Sequence, residues 1–137
     1  MSFADFNGDG QDDLSFATNT GEPMKFYLGS HGSFTEVFLN ISNNKRIRQI
    51  LWVDYDNDGD KDLFTTSLFE GNDLYRNNGG LEFENVNFQS GLINLFNPTF
   101  SYGASFGDID NDGWLDFYIV NRSNQGNQFF RNNGDGT

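Results

Sequence analysis

One nine-residue phrase occurs three times in this chain of 137 residues: Asp, any residue, Asp or Asn, any residue, Asp, Gly, two more residues, Asp. The copies occupy residues 5–13, 54–62 and 108–116. Oxygen donors at alternate positions of a tight loop converge on one point. The glycine at position 6 (Gly10, Gly59, Gly113) permits the chain to reverse around it. Such a cage suits Ca²⁺, which takes about 6–8 oxygen ligands at about 2.3–2.6 Å. Position 7 is Gln11, Asp60 and Trp114, which share only a backbone carbonyl, so that carbonyl is the expected donor there. The expected ligand sets are Asp5, Asn7, Asp9, Gln11 and Asp13; Asp54, Asp56, Asp58, Asp60 and Asp62; and Asp108, Asp110, Asp112, Trp114 and Asp116. That makes about three Ca²⁺, one per loop.

The loops do not read as EF-hands. An EF-hand needs a bidentate Glu at position 12 and a helix on each side. Position 12 is here Phe16, Thr65 and Ile119, and the flanks are rich in aromatic and β-branched residues, as in Gln49-Ile50-Leu51-Trp52-Val53 and Phe117-Tyr118-Ile119-Val120. The loops therefore join β-strands. Magnesium keeps several waters and rarely accepts an all-protein carboxylate cage. Zinc and copper favour His and Cys, and the chain has one His and no Cys. A metal-free Asp/Gly turn would account for one copy but poorly for three at regular intervals. Loop 1 has Asn7 at position 3 and offers one carboxylate fewer than the others, so it is expected to be the weakest site.

The net charge of −12 is concentrated in the loops, which hold 13 of the 20 acidic residues. This balance argues against nucleic acid and anionic membrane as partners. The basic run Lys45-Arg46-Ile47-Arg48 is expected to be a solvated approach to a strand. No stretch is apolar enough to span a membrane, and none reads as a signal peptide. The single His31 lies in a turn, and no nucleophile–base pairing stands out, so no enzyme activity is expected.

A second marker keeps step with the first. Phe26-Tyr27-Leu28, Leu74-Tyr75-Arg76-Asn77-Asn78-Gly79-Gly80 and Phe129-Phe130-Arg131-Asn132-Asn133-Gly134 follow loops 1, 2 and 3 at similar offsets. Asn-Gly between apolar runs signals a hairpin. A β-rich period of about 40–50 residues predicts propeller blades of four antiparallel strands. The expected fold is all-β, one array of about three blades over residues 1–46, 47–97 and 98–137, forming part of a propeller or closing a ring by association. Within blade 2 the strands are expected near residues 49–53, 63–68, 74–77 and 81–86, and the connection to blade 3, with Leu92, Ile93, Leu95, Phe96 and Phe100, is expected to be partly packed. Most of the 16 Phe should pack blade against blade. Trp114 is set apart, either capping its metal site or presenting an exposed ring.

The phrases Phe106-Gly107-Asp108-Ile109-Asp110-Asn111-Asp112-Gly113 and Val53-Asp54-Tyr55-Asp56-Asn57-Asp58-Gly59, with the tail Arg131-Asn132-Asn133-Gly134-Asp135-Gly136, resemble FG-GAP/VCBS-type repeats. These are the calcium-loop blades of integrin α-subunit propellers and of many secreted bacterial proteins. The resemblance covers nearly the whole chain. It implies that positions 1, 3, 5, 7 and 9 of each loop ligate Ca²⁺ at one rim and stiffen the blade. The Gly-Ala-Pro of the integrin pattern is missing, so integrin-type ligand recognition is not implied. The expected role is a non-enzymatic, calcium-binding segment of a secreted or cell-surface protein, bacterial by this resemblance, serving adhesion or the binding of a protein or glycan. Residues 19–22, 70–73 and 121–128 fall at equivalent places and are either ligand loops or ordinary turns, the latter favoured. The alternatives are a non-catalytic portion of a secreted calcium-dependent polysaccharide lyase or hydrolase, and a structural spacer. A homo-oligomer, or the remainder of a longer chain, is the expected partner for open blade faces.

Overall fold

The sequence period becomes three antiparallel sheets in the computed structural model, which describes residues 1–92, 100–122 and 124–137. Sheet 1 is formed by β1 (Ser2–Ala4), β2 (Asp13–Phe16), β3 (Lys25–Ser30) and β4 (Ser33–Val37) in sequence order. Sheet 2 repeats that order with β5 (Ile47–Val53), β6 (Asp62–Ser67), β7 (Asp73–Asn77) and β8 (Phe83–Asn85). Sheet 3 contains β9 (Ser101–Gly107), β10 (Asp116–Asn121) and β11 (Gln128–Phe130). The described residues are thus all-β, three blades of a partial β-propeller. Each acidic phrase connects the first two strands of its sheet, as the β-rich flanks predict.

The strands of sheet 2 fall close to their expected places, apart from β8. That strand covers three residues, because the hairpin before it is wide: Gly79, Gly80 and Leu81 all have positive φ. The corresponding turn of sheet 1 is tighter. His31 (φ 47°) and Gly32 (φ 83°) form a two-residue loop whose mirror-image twist matches the strands it joins. Ile93, Leu95 and Phe96, expected to pack in the connection to sheet 3, lie outside the described residues, as does Ser123. Of that connection, Leu92 packs against the apolar cluster shared with sheet 3, and Phe100 meets Phe69 edge to face at 5.5 Å.

Sheet 2 is the filling between the other two. Neighbouring residues of a strand point to opposite faces, and in β6 these faces meet different partners. Leu63 joins Phe6, Phe26, Ile50 and Phe83 in the cluster shared with sheet 1, whereas Phe64 joins Val53, Leu74 and Ile119 in the cluster shared with sheet 3. All six residues of β6 are buried, but only alternate residues of β2 are. Trp52 stacks on Phe6 at 4.6 Å and donates its indole N–H to Ser15 Oγ at 3.0 Å, tying sheet 2 to sheet 1. Phe64 lies edge-on to Phe106 at 5.6 Å on the other side.

The prediction that phenylalanines serve blade packing holds for the inner faces. On the outer faces they remain exposed: Phe3 and Phe34 on sheet 1, and Phe129 beside Tyr118 on sheet 3. One residue of the basic run departs from expectation, whereas Arg48 is exposed as expected. Lys45 is half-buried and pairs with the buried Asp73 at 2.7 Å, and Asn43 donates to the same carboxylate. A cation that closes a buried carboxylate network is a structural element of the linker, not a solvated one.

Candidate metal centres

Each loop is organised by its own carboxylates before any cation is considered. The position 1 side chain accepts backbone N–H groups from further round the turn. Asp5 receives them from Asp9 and Gly10 at 3.0 and 2.8 Å, and Asp108 from Asp112 and Gly113, both at 3.0 Å. Asp54 accepts the Gly59 N–H at 3.1 Å. The position 5 carboxylate accepts the N–H of position 7 at 2.9 Å in all three loops. Position 7 therefore has its N–H tied inward, whatever its side chain.

Two backbone sites hold the curl. Position 6 is always glycine with φ between 86° and 97°. Position 4 is also left-handed: Gly8 at 75°, Asn57 at 58° and Asn111 at 61°. Sequence reasoning did not single out position 4. The signal was present, since Gly and Asn are the residues that enter this region most cheaply.

Position 9 is built differently from the other expected ligands. Asp13, Asp62 and Asp116 are buried, and both oxygens of each accept backbone N–H groups. One oxygen takes the N–H of loop position 2, from Phe6, Tyr55 or Ile109, at 3.0–3.1 Å. The other takes an N–H from beyond the second strand, from Gly29, Asn77 or Asn132, at 2.8–2.9 Å. The carboxylate thus ties the start of its loop to the third strand of its sheet, or in sheet 3 to the turn just after that strand. Each oxygen keeps a further lone pair. Gly29 is required where it stands, because a Cβ there would meet the Asp12 carbonyl at 2.2 Å.

The asparagine that donates its backbone to position 9 also reaches across to the preceding sheet. Asn77 Nδ2 donates to the Phe6 carbonyl at 3.0 Å, and Asn132 Nδ2 donates to the Tyr55 carbonyl at 2.9 Å. Both accept an N–H from a glycine two residues on, Gly79 or Gly134. The Arg-Asn-Asn-Gly marker is therefore a clamp between neighbouring blades. Its partners lie 71 and 77 residues away, which a local reading does not connect.

The donor sets converge unequally. Carboxylate oxygens of Asp54, Asp56 and Asp58 lie within 4.8 Å of one another, as do those of Asp108, Asp110 and Asp116. Among the described residues no such acidic trio forms in loop 1, where Asn7 holds position 3 and donates its amide to Asp9 at 3.0 Å. In loop 2, Asp54 Oδ1 and Asp56 Oδ1 are buried with no hydrogen-bond partner among the described residues. A desolvated, unpaired carboxylate oxygen is costly, and two aimed into one all-oxygen loop fit a hard divalent cation. Loop 3 carries its own counter-charge. Arg131 Nη2 lies 2.5 Å from Asp110 and 3.7 Å from Asp112. The equivalent Arg76 pairs instead with Glu84 at 2.7 Å.

Burial pushes the Asp62 carboxyl up from 3.8 to about 7, against the two N–H donors and with help from Asp56 and Asp58. Asp13 and Asp56 are raised as well, chiefly by burial. In each case removal from water is the leading cause, and neighbouring loop carboxylates add to it. The Trp114 ring is not freely exposed: it is partly buried, about 3.4 Å from where a Cβ on Gly134 would sit. Described residues of the loops at 19–22, 70–73 and 121–128 bond within their own blades, and Asn72 also donates to Ser101 Oγ of sheet 3 at 3.0 Å. Glu22 donates to the Asn19 carbonyl, Asn72 accepts from Ser67, and Asn121 donates to the Gly126 carbonyl. Those bonds are what ordinary turns make. Ser30 Oγ lies 3.1 Å from His31 Nδ1, but the two are adjacent residues on an exposed turn.

Comparison with known proteins agrees with this arrangement. The model of the FG-GAP-like repeat matches twice, over residues 5–65 and 54–119. The chain is also similar to a T-cell immunomodulatory protein homolog of Plasmodium falciparum (isolate 3D7), with 30% identity over 132 residues. That alignment takes in 94% of this chain and 18% of the relative, so the chain spans less than a fifth of that protein's length.

Proposed function

The chain belongs to the FG-GAP-like repeat family, and from that premise we propose that it is a calcium-stabilised, non-enzymatic β-propeller segment of an extracellular or cell-surface protein that binds a protein or glycan partner. The observation that carries the calcium reading is the pair of buried, unpartnered oxygens of Asp54 and Asp56. The Asp carboxylates of positions 1 and 5, the side-chain oxygen of position 3 (Asn7, Asp56 or Asp110), the carbonyl of position 7 and the remaining lone pairs of position 9 would hold the ion in each loop. A bound divalent cation supplies positive charge where several carboxylates crowd, and thereby favours the folded loop over the open one.

The chain's own residues do the rest. Position 9 links loop to third strand, and Asn77 and Asn132 link each of those strands to the loop of the blade before it. A stiffened loop therefore stiffens the contact between blades. This is the behaviour of a scaffold that presents a surface, and it involves no bond-making group. The relative's name refers to T cells, which supports a setting outside the cell.

Calorimetric titration with Ca²⁺ tests the reading. Uptake of the ion is expected, with a higher melting temperature in calcium than in EGTA, and Asp54→Ala should remove one binding event. Absence of uptake overturns it.

A further inference from the structure

We propose that Asn57 is a positioning residue that couples the second and third loops, so that filling either raises the calcium affinity of the other; the proposal rests on the calcium reading above. Asn57 occupies position 4 of loop 2, and its Nδ2 donates to the Gly113 carbonyl of loop 3 at 2.9 Å. The peptide unit that begins with that carbonyl is therefore held at both ends, because its N–H, on Trp114, donates to Asp112 Oδ1 at 2.9 Å. The next carbonyl along the chain is that of Trp114, the expected backbone donor of loop 3.

The backbone of Asn57 lies between two ligand positions, Asp56 and Asp58. Ligation by those carboxylates narrows the motion of Asn57 and so of its amide. The amide in turn fixes the peptide that sets the direction of the Trp114 carbonyl. The effect runs equally in reverse, since a coupling free energy between two sites is reciprocal.

Loops 1 and 2 supply the contrast. The equivalent residue in loop 1 is Gly8, which has no side chain to reach the Gly59 carbonyl. The space between these loops is an open gap lined by Gly8, Asp12, Gly59, Asp60 and Lys61. The Gly59–Asp60 peptide is held through its N–H by Asp58, at 2.9 Å, and lacks the second tie among the described residues. Loop 1 is thus expected to fill independently of loop 2.

The Trp114 ring lies in loop 3, so its fluorescence reports that loop, with Trp114→Phe supplying the baseline. Calcium alone is the probe. Glycine suits the left-handed backbone of position 57 (φ 58°), so Asn57→Gly removes the amide without straining the turn. In that variant the calcium midpoint read by Trp114 is expected to rise about two- to tenfold, the range one net hydrogen bond supplies. Asp54→Ala should raise the same midpoint in the Asn57 chain and leave it unmoved in the Asn57→Gly chain. Gly8→Asn, at a site with nothing within 4 Å of the new Cβ, should link loop 1 to loop 2. An unshifted midpoint in Asn57→Gly, or equal shifts from Asp54→Ala in both backgrounds, overturns the coupling while leaving calcium binding intact. No calcium uptake by the unaltered chain overturns the underlying reading instead.

Discussion

The third-strand end of each loop shows how one buried acid serves two purposes. Asp62 has no exposed surface and accepts two backbone N–H groups, yet burial beside Asp56 and Asp58 lifts its carboxyl to about 7. The linkage has a definite sign. In the folded, calcium-free chain this group holds a proton that the unfolded chain, near 3.8, has already released. Its contribution is therefore fully present below about pH 4 and is lost as the pH rises through about 7. Melting in EGTA across that window is expected to show the midpoint falling as pH rises, with Asp13 and Asp56 acting in the same direction. Calcium should reverse the trend, because ligation needs the carboxylates deprotonated. A calcium-free midpoint that climbs between pH 5 and pH 8 would falsify this account of Asp62.

Among the elements, the hairpin after the third strand carries more than its length suggests. Asn77 is buried and ties together the Phe6 carbonyl, the Lys61 carbonyl and the Gly79 N–H. Truncation to alanine leaves those groups short of a partner in a dry seam. Asn77→Ala is expected to cost about 1–3 kcal/mol in urea unfolding, and Asn132→Ala a similar amount, whereas Asn78→Ala should fall within about 0.5 kcal/mol. The loops and strands were legible in the sequence because both are local. The Asp phrase and the alternating flanks fixed β5, β6 and β7 to within a few residues. The clamp was not legible, because Asn77 and Phe6 meet only once two sheets have stacked. The charge of position 9 marks it as a ligand, whereas its ties to Tyr55 and Asn77 form within one sheet, once the loop has closed and β7 has paired with β6. Lys45 departs from the expected solvated run because its partner Asp73 stands 28 residues on, in β7, beyond the reach of a local pattern.

At the scale of the whole molecule, the ends of the stack differ from its middle. Sheet 3 leaves Tyr102, Tyr118, Val120 and Phe129 exposed on one face, and sheet 1 leaves Phe3 and Phe34 exposed on the other. The residue at loop position 2 makes the same point. Phe6 and Tyr55 are buried beneath the following blade, whereas Ile109 is 62% exposed. Apolar faces of this kind favour association. The isolated chain is expected to self-associate with rising concentration in light scattering, and Tyr118→Lys together with Phe129→Lys should shift it toward the monomer. A monomer at every concentration would count against these faces as blade-contact surfaces.

The burial of β6 on both sides also bears on how such a chain changes over generations. In β6 neither side is open to solvent, because all six residues are buried. A change at Leu63 is felt by one neighbour and a change at Phe64 by the other, so six successive codons are restrained together. Inherited variation in this strand is thus tested on two sides at once.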